Sequence, residues 1–192
     1  QAYAEGLAAY GAECLSLRAS ADATGLLLGG GSDLQRQGPE KNADQETEVL
    51  KEALRRNIPI LAIGEGMQLL NLVFGGQVLE EVPGHAHGVG GSEQNPIYHQ
   101  IYVSPGSKLS AIVGPGAFFR VNSLHYQGFR DAQRSPLLLT SAYSLEDGVV
   151  EGVESPAHDW VIGVQFQPER ATEVPRAFRH LFAAFVERAE VH

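Results

Sequence analysis

Apolar and polar positions change period several times along the chain, and each change marks an element. Ala2 to Tyr10 reads as a helix, and Glu13 to Leu17 as a short strand. Thr24 to Leu28 reads as a second strand, ending in Gly29-Gly30-Gly31. Asn42 and Gln45 form a capping-box pattern, and the helix they open carries Val49, Leu50, Ala53 and Leu54 on one face. Arg55 and Arg56 suit its C-terminal end, where the helix dipole favours cations. Ile58 to Ile63 is a continuous apolar run, the pattern of a strand buried on both faces. A helix from Met67 to Phe74 follows, closed by Gly75-Gly76.

Beyond residue 97 the pattern shortens to the strand period. HQIYV (99–103), FFRV (118–121), LLLTSA (137–142), GVVEGVE (148–154) and WVIGVQF (160–166) all have strand character. A last helix, Pro175 to Ala189, aligns Phe178, Leu181, Phe182 and Phe185. GHAHGVGGSEQNP (84–96) is the one long irregular segment, expected as a surface loop. Strand–helix alternation giving way to added strands predicts a three-layer α/β domain with a mainly parallel sheet.

Bulk properties narrow the function classes. The 192 residues fit one domain, 1–192, and a hydrophobic share of 43% with 19% charged residues is an ordinary globular balance. The net charge of −9 argues against nucleic acid or an anionic membrane as partner. No apolar run reaches the ~18 residues of a membrane span, and no signal-peptide pattern opens the chain. The single cysteine, Cys14, excludes an intramolecular disulfide and fits a reducing cytoplasm, so a soluble, cytoplasmic protein is expected. The chain opens on a helix with no strand ahead of it, which leads us to expect an upstream segment.

Candidate chemistry centres on AIGEGMQLLN (62–71). A buried strand that turns sharply into a helix is how a nucleophile elbow lifts one side chain above a sheet edge. The helix N-terminus behind it can stabilise an oxyanion. The residue at the crest is Gly64, which has no side chain; on its own the pattern also fits ordinary α/β architecture.

Five stretches in order carry a resemblance to the class I glutamine amidotransferase superfamily, most closely its γ-glutamyl-γ-aminobutyrate hydrolase branch. GLLLGGGSD (25–33) resembles the family's oxyanion-hole loop, and IPILAIGEGMQLLNLVFGGQVLEEV (58–82) its nucleophile strand, elbow and helix. VNSLHYQGF (121–129) with DGVVEGVE (147–154) resembles the branch's VNS-x-H-x-Q and DG-[VI]-[VI]-E segments. GVQFQPE (163–169) resembles the block that holds the catalytic histidine and glutamate. The resemblance implies a flavodoxin-like fold and, in family members, cysteine attack on a γ-glutamyl amide through a thioester. It places the nucleophile at Gly64, the activating histidine at Gln167 and the third triad member at Glu169. Only the last is kept. Glycine offers no attacking atom, and glutamine cannot relay a proton near neutral pH as imidazole does.

The remaining candidates follow from the same comparison. Gly30 and Gly31 fall in the oxyanion-type loop, which lacks the Lys-Ser/Thr ending of a P-loop. Glu65 stands beside the crest, as a pocket carboxylate or a salt-bridged one. Gln68 is read either as a ligand contact or as a structural hydrogen-bonder. Asn122, His125 and Tyr126 fall in the segment that lines the family's pocket, and His125 also fits a structural role. His85, His87 and His99 raise the question of metal, but no carboxylate cluster stands near them at ligand spacing, so no metal and no cofactor are expected. The leading expectation is a degenerate member that binds a glutamine-like or γ-glutamyl small molecule without Cys-His hydrolysis. Two others stand beside it: a cysteine-independent hydrolase or lyase using Glu65, His125 or Glu169, and a non-catalytic regulatory or structural subunit. The partners these imply are the small ligand, a second copy of the chain, or a partner synthase or regulatory subunit.

Overall fold

A computed structural model describes residues 2–14, 22–30, 43–85, 97–114 and 118–192. In chain order the elements are α1 (Ala2–Ala8), β1 (Leu26–Gly29), α2 (Ala43–Arg55), β2 (Ile60–Ile63), α3 (Glu65–Val73), β3 (Ile97–Val103), α4 (Lys108–Val113), β4 (Phe118–Ser123), β5 (Leu139–Ser144), β6 (Val150–Glu154), β7 (Val161–Val164), a 3-10 turn (Arg176–Arg179) and α5 (His180–Glu190). The strands form one seven-stranded sheet in the order β1-β2-β7-β6-β5-β3-β4.

The apolar run at residue 60 explains the layering. Successive side chains of β2 point to opposite faces, and all four residues are buried. Ile60 and Ala62 pack with Leu50, Met67 and Leu70 under α2 and α3. Leu61 and Ile63 pack on the other face with Phe166, Phe178, Leu181 and Phe185, beside Leu7 of α1 and Leu109 of α4. Helices therefore cover both faces, as the three-layer reading expects. The stripe Phe178, Leu181, Phe182 and Phe185 is buried throughout, although the 3-10 turn carries its first member and α5 the rest. No described helix is long and apolar enough to cross a membrane.

The sheet is mixed and not mainly parallel. Only β1–β2 and β2–β7 run parallel; β7–β6, β6–β5, β5–β3 and β3–β4 are antiparallel. The links from β5 to β6 and from β6 to β7 are short, which permits antiparallel neighbours, whereas parallel ones need a crossover of a dozen or more residues. The parallel trio holds the elbow. Glu13 and Cys14 carry no strand, while Leu15 to Leu17, Asn42 and residues 86–96 lie outside the described residues. The α4 helix went unread in the sequence; Ser107 caps it by accepting the Ser110 N–H at 3.0 Å.

Candidate functional site: a vacant elbow beside a buried histidine nest

The turn between β2 and α3 has the form the sequence predicts. Gly64 is the N-cap of α3 at φ 58° and ψ −116°, a backbone region that side-chain-bearing residues avoid. Its N–H donates to the Val164 carbonyl at 2.8 Å, and its carbonyl accepts from the Met67 and Gln68 N–H groups at 3.0 and 3.3 Å. A Cβ built on Gly64 would meet nothing closer than the Gln165 carbonyl at 3.8 Å and the Gly30 carbonyl at 4.0 Å. The crest therefore has room for a side chain and carries none. The next glycine serves packing: a Cβ on Gly66 would lie 2.4 Å from the Leu28 carbonyl oxygen, so its absence lets α3 settle on β1.

Gln167 leaves the sheet beside Gly64. Ile63 pairs with Val164 in register, so residue 64 and the segment from Gln165 to Glu169 emerge together at the C-terminal ends of adjacent parallel strands. In open α/β sheets that end is where ligands bind. Asn122, at the end of β4, grips residue 167 by its backbone. Its Oδ1 accepts the Gln167 N–H at 2.9 Å, and its Nδ2 donates to the Gln167 carbonyl at 3.1 Å and to Glu173 at 3.0 Å.

Glu169 faces a residue that the sequence reading missed. The Tyr3 hydroxyl of α1 stands 3.4 Å from the Gly30 carbonyl and interacts with the Glu169 carboxyl. Burial, then the charges of Glu169 and Glu65, push the Tyr3 hydroxyl far above its ordinary range, so it stays protonated. Burial also pushes the Glu169 carboxyl up, opposed by its own backbone N–H and by Tyr3. A Cβ on Gly30 would fall 2.4 Å from Glu65 Cβ, so the Glu65 side chain lies directly on that loop. Gly31 lies outside the described residues. Tyr3, Glu65 and Glu169 thus gather at the Gly30 loop beside the crest, and none of the three offers a thiol or an imidazole. Cys14, exposed, lines a cavity with Thr24, Gly25 and Leu26 at the opposite end of β1.

Gln68 is fully buried, and its Nε2 donates to the Gln127 carbonyl at 3.0 Å and to Gln165 Oε1 at 3.3 Å. Its amide nitrogen thus holds the segment after β4 against the elbow helix. The same Gln127 carbonyl accepts from His125 Nδ1 at 2.8 Å. Tyr126 is half-buried, and its carbonyl accepts the Val82 N–H at 2.7 Å.

His125 opens onto a second cluster. Its Nε2 lies 3.1 Å from His85 Nδ1 and 3.6 Å from Glu151 Oε1, and His85 Nδ1 lies 3.5 Å from that oxygen. His99 Nε2 approaches the same oxygen at 3.2 Å. His85 Nε2 faces Asp147 at 3.2 Å, and the Ser123 hydroxyl donates to the His85 carbonyl at 2.7 Å. All three histidines are buried and Glu151 is fully so. Burial pushes the Glu151 carboxyl up, but His125 and His99 outweigh it and hold it down to about 2. Neither Glu151 oxygen has an aligned hydrogen-bond donor. Burial and His125 push His85 down, whereas Glu151 raises His99 against its burial. The fold supplies from β6 the carboxylate that sequence spacing did not place near the histidines. The DGVVE motif contains both Asp147 and Glu151, and it was the available signal. His87 lies outside the described residues.

Comparison with known proteins places this geometry. The Peptidase C26 family profile matches residues 22–169. Protein NtpR of Enterococcus hirae is 33% identical over 180 residues, covering 84% of this chain and 73% of that protein. Gamma-glutamyl-gamma-aminobutyrate hydrolase PuuD of Escherichia coli (strain K12) is 34% identical over 170 residues, covering 81% of this chain and 65% of that protein. Among solved structures, a glutamine amidotransferase from Methylobacillus flagellatus matches with a TM-score of 0.68 at 15% identity, covering 96% of this chain and 88% of that one. The glutaminase domain of Trypanosoma brucei CTPS matches with a TM-score of 0.65 at 18% identity, covering 88% and 73%. These two likenesses establish the fold, and the family profile with the closer relatives establishes more: the chain belongs to the Peptidase C26 family, with the class I glutamine amidotransferase-like fold.

Proposed function

We propose that this chain is a glutamine amidotransferase-like protein that has given up thioester chemistry and binds a small amino compound of the glutamine or γ-glutamyl class above Gly64. The observation that carries the reading is the crest itself: a positive-φ elbow with space for a side chain, occupied by glycine. Losing the nucleophile of a comparable triad costs about 10⁶-fold, leaving mainly binding and oxyanion effects. Gln167 compounds the loss, because an amide neither takes up nor releases a proton near neutral pH.

The groups that remain favour an amine over an oxyanion. Glu65 lies on the Gly30 loop, where family chemistry would develop negative charge, and a carboxylate there opposes it. Glu169 stands by with Tyr3, and both carboxyls suit an ammonium group.

The test combines turnover with binding. The wild-type chain should show no hydrolysis of γ-glutamyl amides above background, yet should warm its melting transition with glutamine or γ-glutamyl amines. The Gly64→Cys, Gln167→His double variant should regain measurable turnover. Turnover by the wild-type chain at the rate of an active hydrolase would overturn the reading, as would the absence of any thermal response to these ligands.

A further inference from the structure

The histidine nest is separate from the elbow chemistry and has its own geometry. His85 Nδ1, His125 Nε2 and Glu151 Oε1 form a triangle with edges of 3.1, 3.5 and 3.6 Å. A tetrahedral metal with ligand bonds of about 2.0–2.1 Å sets neighbouring ligand atoms about 3.3–3.4 Å apart. The three atoms already stand at that spacing.

The outer nitrogens fix which atoms face inward. His125 Nδ1 is 2.8 Å from the Gln127 carbonyl, a pure acceptor, so it carries a proton. His85 Nε2 faces the Asp147 carboxylate at 3.2 Å and carries one too. The reverse tautomer would set a lone pair of His85 against that carboxylate. In the neutral rings, His85 Nδ1 and His125 Nε2 are therefore both lone pairs, aimed at each other and at Glu151. Three acceptors then converge where neither Glu151 oxygen has an aligned donor, and the one hydroxyl beside them, Ser123 Oγ at 3.1 Å from His85 Nδ1, already spends its hydrogen on the His85 carbonyl at 2.7 Å. Such a convergence calls for a cation. The outward hydrogen bonds, one to a carboxylate and one to a backbone carbonyl, are the arrangement by which metal-ligating histidines are held.

We propose that His85, His125 and Glu151 bind one divalent first-row transition ion, with zinc the best match to two imidazoles and a carboxylate. Asp147 and the Gln127 carbonyl orient the two rings, and His99, 3.2 Å from Glu151, steadies the carboxylate. The ligands come from the turn before residue 86, the segment after β4, and β6, so the ion ties three separate parts of the chain together. His85, His125 and Glu151 are all buried, and a water completes the four-coordinate shell. The site stands independently of the loss at Gly64.

The test uses the full chain without an affinity tag, stripped with chelator and reloaded with Zn²⁺ or Co²⁺. One equivalent per chain should bind, Co²⁺ should give the intense visible absorption of a four-coordinate site, and loading should raise the melting temperature. Glu151→Gln should weaken Co²⁺ binding by more than about 100-fold, and Asp147→Asn, which keeps an acceptor for the Val149 N–H but removes the charge behind His85, by about 10-fold. Cys14→Ser and His192→Ala should leave binding unchanged. The proposal fails if the wild-type chain gives neither the Co²⁺ band nor a melting shift. It fails equally if a folded Glu151→Gln binds Co²⁺ as tightly as the wild-type chain, or if binding disappears in either surface variant. The wild-type measurements decide the matter even if Glu151→Gln does not fold.

Discussion

Asn122 and Gln167 are joined twice, Oδ1 accepting the backbone N–H at 2.9 Å and Nδ2 donating to the carbonyl at 3.1 Å. The grip is on the main chain, so it holds residue 167 in place whatever its side chain. Asn122→Leu should therefore destabilise the fold by about 2 kcal/mol, since it strands the buried Gln167 N–H, while the Gln167 carbonyl and Glu173 keep their bonds from Arg170. Chemical denaturation of both forms checks it, and a loss below about 1 kcal/mol would count against the grip.

Gly64 and Gly66 differ in why they are glycine, and substitution should separate the reasons. At Gly64 the space is open and only the positive φ resists, so Gly64→Cys and Gly64→Ala should each cost about 1–3 kcal/mol. At Gly66 a Cβ meets a backbone carbonyl that cannot move aside, so Gly66→Ala should cost about 3 kcal/mol or more. Thermal melts of the three variants give the order, and a Gly64→Cys form as stable as the parent would contradict a strained crest.

Glu169 should make stability fall with rising pH. Burial raises its folded-state pKa above the unfolded value, so the folded chain holds the proton longer. Its contribution is present in full below the unfolded carboxyl value near 4.5 and is lost as pH climbs through the folded one. Glu169→Gln, which can still accept from Tyr3, should melt higher than wild type at pH 8, with the difference vanishing near pH 4. Equal melting temperatures at both pH values would sink this account.

Gln68 should prove to be a strut. Gln68→Met keeps the volume but removes the donor to the Gln127 carbonyl, and should cost about 1 kcal/mol. Calorimetry with glutamine on the same variant tells strut from ligand contact: a strut variant binds with unchanged affinity once folded.

The parts legible in the sequence were those that repeat a period. Ile58 to Ile63 announced a two-faced buried strand because every residue in it is apolar, and the aromatic stripe of the last helix announced its packed face. The orientation of β5, β6 and β7 was not legible, because strand direction depends on short connections that the apolar pattern does not encode. The α4 helix is six residues long, too short for a periodic signal, and rests on its Ser107 cap. Asn122 was picked out with the VNSLHYQ segment, yet its grip on residue 167 spans 45 positions and no local rule predicts it. Glu151 was hidden because a charged residue in a strand buried at every position breaks the expected pattern, and its partners lie 26 to 66 positions away. Tyr3 was not singled out, because nothing local in α1 marks its interaction with Glu169, 166 positions away.

Strand β7 lies between β2 and β6, and its C-terminal end is bonded on both sides: the Gly64 N–H reaches Val164, and the Gln165 N–H reaches the Glu151 carbonyl at 3.0 Å. One strand thus has the glycine crest on one flank and the strand of Glu151 on the other. The spacing between the turn at residue 64 and the strand that bears Glu151 is therefore set by one shared element of the sheet.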